Sequence, residues 1–123
     1  MKTVKFLLVA LFMLSITNII KAQDSKADML THTKNVKIKV YGECDMCQKR
    51  IERAASSVEG IKSASWDVDN KVLTLKYDIF KKEAVNNVQK KVMSIGHDTE
   101  MGRASEVAYN NLPSCCHYQR RPS

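Results

Sequence analysis

Val36-Lys37-Ile38-Lys39-Val40-Tyr41, then Gly42-Glu43, then Cys44-Asp45-Met46-Cys47, then Gln48 to Val58: in this stretch the hydrophobic period changes, and two cysteines sit where it does. Val36, Ile38 and Val40 alternate with Lys37, Lys39 and Tyr41, the pattern of a half-buried strand. Ile51, Ala54, Ala55 and Val58 then recur at helical spacing, with Lys49, Arg50, Glu52 and Arg53 on the other face. Asp45 is the expected cap of that helix. At a strand-to-helix turn, unpaired backbone N–H groups and the positive helix end favour thiolate over thiol. Two thiolates three residues apart can close on one soft metal ion, or on each other as a disulfide.

Gly60 ends the first helix. Ala64, Trp66 and Val68 alternate through a second strand, Asp69-Asn70 makes a tight turn, and Leu73, Leu75 and Tyr77 alternate through a third. A second amphipathic helix presents Ala84, Val85, Val88, Val92 and Ile95 and closes at Gly96. His97 to Met101 reads as a short fourth strand, on the support of Thr99 and Met101. Two helices, each apolar on one side, must cover one face of the sheet. The expected fold is α+β: a ferredoxin-like βαββαβ sandwich with a four-stranded antiparallel sheet. Trp66, Tyr77 and Phe80 are expected in the core or at its edge, and Met93 at the margin of the second helix.

Residues 1–22 read as a signal peptide: Lys2 and Lys5 precede the apolar run Phe6 to Leu14, with a cut after Ala22. The run is short for a span of about 20 residues, so no stable membrane insertion is expected after cleavage. Residues 23–33 are a flexible lead-in, and 102–123 a surface tail carrying Cys115, Cys116 and His117. The location implied is periplasmic or secreted. Loss of Lys2, Lys5 and Lys21 brings the net charge from +7 to +4. The remaining cations are scattered and not interleaved with aromatics, which argues against nucleic acid; a mildly basic face can still steer an acidic partner. Export usually implies structural disulfides, yet the four cysteines form two local pairs, which make poor staples unless they cross-link each other. Metal binding or redox work explains the spacing better.

The segment 34–101 resembles the heavy-metal-associated domain. The resemblance rests on Gly42-Glu43-Cys44-Asp45-Met46-Cys47 followed by Arg50-Ile51-Glu52, on Val58-Glu59-Gly60-Ile61, and on Ile95-Gly96-His97-Asp98. That family includes copper chaperones, N-terminal domains of copper-pumping ATPases and periplasmic mercury-binding proteins. It implies one soft ion held between Cys44 and Cys47 and passed on by thiolate exchange, with no enzymatic reaction. The expected partner is a metal-transporting ATPase, an efflux component or another metal-binding domain. The loop departs from the family's Gly-Met-x-Cys-x-x-Cys by being one residue shorter and lacking the Met.

Two thiolates are too few for structural zinc, so Cu(I) is the first choice, and Hg(II) also fits. His97, in the turn after the second helix, is a secondary candidate ligand or hydrogen-bond donor to a thiolate, against the alternative of an ordinary turn histidine. Cys115 and Cys116 are further secondary candidates, one of which, or His117, would fold back onto the loop; a cross-disulfide is their main rival. Met46 is read as loop packing before ligand, and His32 as a linker residue. No Ser/His/Asp order, phosphate loop or zinc-protease motif is present. The alternative function is a thiol–disulfide oxidoreductase in which Cys44 attacks and Cys47 resolves, although both prolines, Pro113 and Pro122, fall in the tail.

Overall fold

The computed structural model describes residues 32–123. The expected signal peptide and nearly all of the lead-in lie outside the described residues. Strand β1 (Thr33–Lys39) leads through the cysteine loop into helix α1 (Asp45–Ser56), followed by the hairpin β2 (Ile61–Asp67) and β3 (Val72–Asp78), helix α2 (Ala84–Ser94) and a short helix α3 (Glu106–Asn110). A 3-10 turn over Ser114–Cys116 comes last.

The sheet is antiparallel in the order β1-β3-β2. Its register aligns Val36 and Ala64 with Leu75, and Ile38 and Trp66 with Leu73. Ile38, Trp66, Leu73 and Leu75 are buried, and Ile51, Ala54, Ala55, Val88 and Val92 of the two helices share their core. Each large apolar side chain so enclosed contributes about 1.5–3 kcal/mol. In the hairpin, Asp67 Oδ1 accepts from the N–H groups of Asp69 and Asn70, and Lys71 takes the left-handed conformation.

The expected fourth strand is not formed; among the described residues the sheet has three strands. Thr99 makes one bridge to Val40 and at once turns back on Gly102, with N–H···O bonds in both directions. The carbonyls of Thr99 and Glu100 accept from Arg121 Nη1 instead of continuing a ladder. The polar run Asp98 to Glu100 thus leaves a remnant of pairing at the free edge of β1. Helix α1 also starts earlier than its apolar period suggests. Cys44, not Asp45, occupies the cap position: its backbone is extended and its carbonyl accepts the first helical bond, from Gln48.

Gln48 and Glu52, on the apparently solvated side of α1, grip the outer edge of β2. Glu52 Oε1 accepts from Trp66 N–H at 2.9 Å, and Gln48 Nε2 donates to the Trp66 carbonyl at 3.1 Å. They protect backbone groups that an edge strand would otherwise expose. Of the expected core aromatics, Trp66 is buried and Tyr77 half-buried, but Phe80 is exposed and lies against His32. Residues 102–123 do not lie loose on the surface. Leu112, Cys116 and Tyr118 are buried and join the core.

Trp66 also packs against the cysteine loop. Its indole N–H donates to the Val40 carbonyl at 3.0 Å, and its ring lies against Gly42. A Cβ on Gly42 would come within 2.8 Å of the ring and 3.3 Å of Cys47 Cβ. Gly42→Ala is therefore expected to cost about 1–3 kcal/mol, as overpacking does. Urea unfolding checks this; a loss within about 0.5 kcal/mol, the size of an ordinary surface substitution, would mean that the ring moves aside freely.

Candidate metal centre

Cys44 and Cys47 meet because one caps α1 and the other lies in its first turn. Their sulfurs are 3.7 Å apart, Cys44 half-buried and Cys47 wholly enclosed. The backbone N–H of Cys47 faces the Cys44 sulfur and, against the opposing effect of burial, holds that thiol below its usual range; the Cys47 thiol and the N–H of Met46 act in the same direction.

The chain end brings two more sulfurs. The Sγ atoms of Cys44, Cys115 and Cys116 all lie within 4.8 Å of one another. Cys116 is fully buried; burial and then the neighbouring Cys47 and Cys44 sulfurs push its thiol well up. Cys115 is exposed, and its sulfur stands 3.6 Å from Met46 Sδ, while its carbonyl lies 3.4 Å from Cys44 Sγ. All four cysteines are free thiols. Sulfurs on a tetrahedral ion with bonds of about 2.3 Å stand roughly 3.8 Å apart. The 3.7 Å between Cys44 and Cys47 matches such an edge, whereas a linear two-thiolate arrangement with those bonds would need roughly 4.6 Å.

Asp98 holds this chain end in place. Its buried carboxylate receives Arg120 Nη2 at 2.7 Å and Nε at 3.1 Å, together with the N–H groups of Ala104 and Arg121. Burial alone would push Asp98 up; Arg120 and the two N–H groups outweigh it and leave the carboxyl below the usual carboxylate range. Tyr118 ties the same turn from the other side, donating to the Gly96 carbonyl at 2.8 Å and accepting from Asp98 N–H at 2.7 Å. Neither Asp98 nor Arg120 was singled out by spacing. The available signal was an acid two residues after Gly96 and a basic pair near the end of the chain.

His97 is not among the clustered donor atoms, which are those of Cys44, Cys115 and Cys116. It is fully buried, stacked on Tyr118, with Nδ1 2.8 Å from the Tyr41 carbonyl. A carbonyl only accepts, so the Nδ1 proton is fixed there and Nε2 is enclosed without a partner. His117 also turns away, onto the Leu112 carbonyl and the Tyr109 ring.

Burial, with a smaller effect from Arg50, pushes the His97 pKa below its ordinary value, against the Tyr41 bond and Asp98. The unfolded chain therefore binds the proton first. Stability is unaffected well above about pH 6.5, the unfolded value, and falls as pH drops below it until the folded imidazole also titrates. The urea midpoint should accordingly fall between pH 7.5 and 5.5, and His97→Asn, whose amide can still donate to Tyr41, should flatten that fall. An unchanged slope would assign it to other groups.

Residues 43–98 match the family model of the heavy-metal-associated domain. Over these residues the chain is similar to the heavy-metal-associated domain. Its structure is similar to that of CopZ metallochaperone, at 25% identity over 54% of this chain and 98% of that one, with a TM-score of 0.51. Oxidized MerP from Ralstonia metallidurans CH34 is similar at 23% identity over 55% and 94% of the two chains, with a TM-score of 0.51. The N-terminal domain of a potential copper-translocating P-type ATPase from Bacillus subtilis, in its Cu(I)-loaded state, matches at 24% identity over 55% and 84%, with a TM-score of 0.50. The latter two likenesses carry the fold alone. No curated protein matches the chain. The match ends at Asp98, so Cys115 and Cys116 lie outside the matched segment.

Proposed function

We propose that this protein binds Cu(I) at Cys44 and Cys47 and passes it on by thiolate exchange, making and breaking no bond of an organic substrate. The observation that carries this reading is the Cys44 sulfur at a helix start, 3.7 Å from a second, enclosed thiol. Soft sulfur donors select Cu(I), and Hg(II) is the competing cargo. The metallochaperone likeness supports a carrier over an enzyme. A metal-transporting ATPase, an efflux component or another metal-binding domain would receive the ion. Arg50, Arg53 and Lys91 line an open groove between α1 and α2, which suits an acidic surface on that partner. With residues 1–22 removed as a signal peptide, the exchange would take place in the periplasm or outside the cell.

The test is a Cu(I) titration of the reduced chain against a calibrated chelator, counting reactive thiols before and after. A tightly bound ion that protects Cys44 and Cys47 supports the carrier. Failure to compete with the chelator, together with a readily reversible Cys44–Cys47 disulfide, would support thiol–disulfide exchange instead.

A further inference from the structure

We propose that Cys115 and Cys116 are metal ligands too, so that the chain end is a strap closing the loop site into one of three or four sulfurs. This rests on the reading that Cys44 and Cys47 hold a thiophilic ion.

Neighbouring side chains in an extended segment point to opposite sides and would not share an ion. The 3-10 turn over Ser114–Cys116 changes that. Successive residues there are about 120° apart around the axis, and both sulfurs come within 4.8 Å of Cys44 Sγ. Cys44 becomes the shared corner, with Cys47 on one side and the strap on the other. Cys116 completes the inner, enclosed part of the site. Cys115 closes it toward solvent, beside the Met46 thioether.

The strap is held without any ion. Tyr118 and Arg120 fix its far side to Gly96 and Asp98, so little ordering remains to oppose binding. An ion enclosed in this way can leave by exchange only after the strap has opened, because an incoming thiolate needs a vacant approach. The loop alone would release quickly; with the strap closed it retains.

The experiment compares the Cu(I)-loaded wild-type chain with a Cys115→Ser/Cys116→Ala double variant and with Cys115→Ser alone. Alanine keeps the buried position apolar, and the exposed Cys115→Ser keeps the test open if the double variant folds poorly. Sulfur coordination is counted by X-ray absorption, and extraction by a chelator is timed. Three or more sulfurs in wild type, fewer in the variants, and extraction at least about tenfold faster from the double variant support the strap. Two sulfurs in all three proteins with equal extraction rates would overturn it while leaving the two-cysteine carrier intact. Absence of Cu(I) binding by the wild-type chain would overturn both.

Discussion

Cys44→Ser is expected to weaken Cu(I) binding by more than about a hundredfold while leaving the fold intact. Altering a group that merely orients a metal ligand typically costs ten- to a hundredfold in affinity, and removing a ligand costs more. Cys44 also lies close to all the other sulfurs, 3.7 Å from Cys47 and within 4.8 Å of Cys115 and Cys116. A serine hydroxyl stays protonated and offers a hard oxygen to a soft ion. The fold, by contrast, gains a better helix cap, because Cys44 occupies the cap of α1 and makes no side-chain cap bond there. Stability and affinity should therefore move in opposite directions.

Cys47→Ser is expected to lose binding as well, but with a cost of about 1–3 kcal/mol in stability, because it encloses a hydroxyl in the core. The Cys44 variant is thus the cleaner test. Chelator competition and urea unfolding on the same two proteins check both quantities. Tight binding retained by both variants would move the primary site to Cys115 and Cys116.

How much of this was legible depended on whether the determinant was periodic. The alternation of Val36, Ile38 and Val40 and the spacing of Ile51, Ala54 and Ala55 report which face is buried, and the structure buries those faces. The pair Cys44/Cys47 was legible for the same reason, because it sits where one period gives way to the other. The missing fourth strand was not, since it depends on Arg121, distant in sequence, taking the Thr99 and Glu100 carbonyls. The burial of His97 is equally non-local: the residues that enclose it include Tyr118, from a segment that reads as surface tail. The convergence of the sulfurs depends on anchors distant in sequence, the Asp98–Arg120 pair and the Tyr118 bonds to Gly96 and Asp98, and such contacts leave no periodic trace.

That contact makes the second prediction. Asp98→Ala is expected to cost about 3–5 kcal/mol, because Arg120, only 11% exposed at its side chain, would keep its charge and lose its enclosed partner. For a domain of this size that corresponds to a fall of roughly 12–40 °C in Tm. The Ala104 and Arg121 N–H groups would lose their acceptor at the same time. Asp98→Asn should fall between, since its amide oxygen still accepts one of those bonds. The damage should also be directional: α1, α2 and the sheet share a core without Asp98, whereas the chain end would come free first. Trypsin should then cut after Arg103 and Arg120 before the rest unfolds. A loss below about 1 kcal/mol, with those bonds still protected, would mean that Arg120 does not anchor the end. If it does, Asp98→Ala and the Cys115/Cys116 double variant should be far from additive in Cu(I) extraction rate, because either one alone takes the strap sulfurs away from the ion.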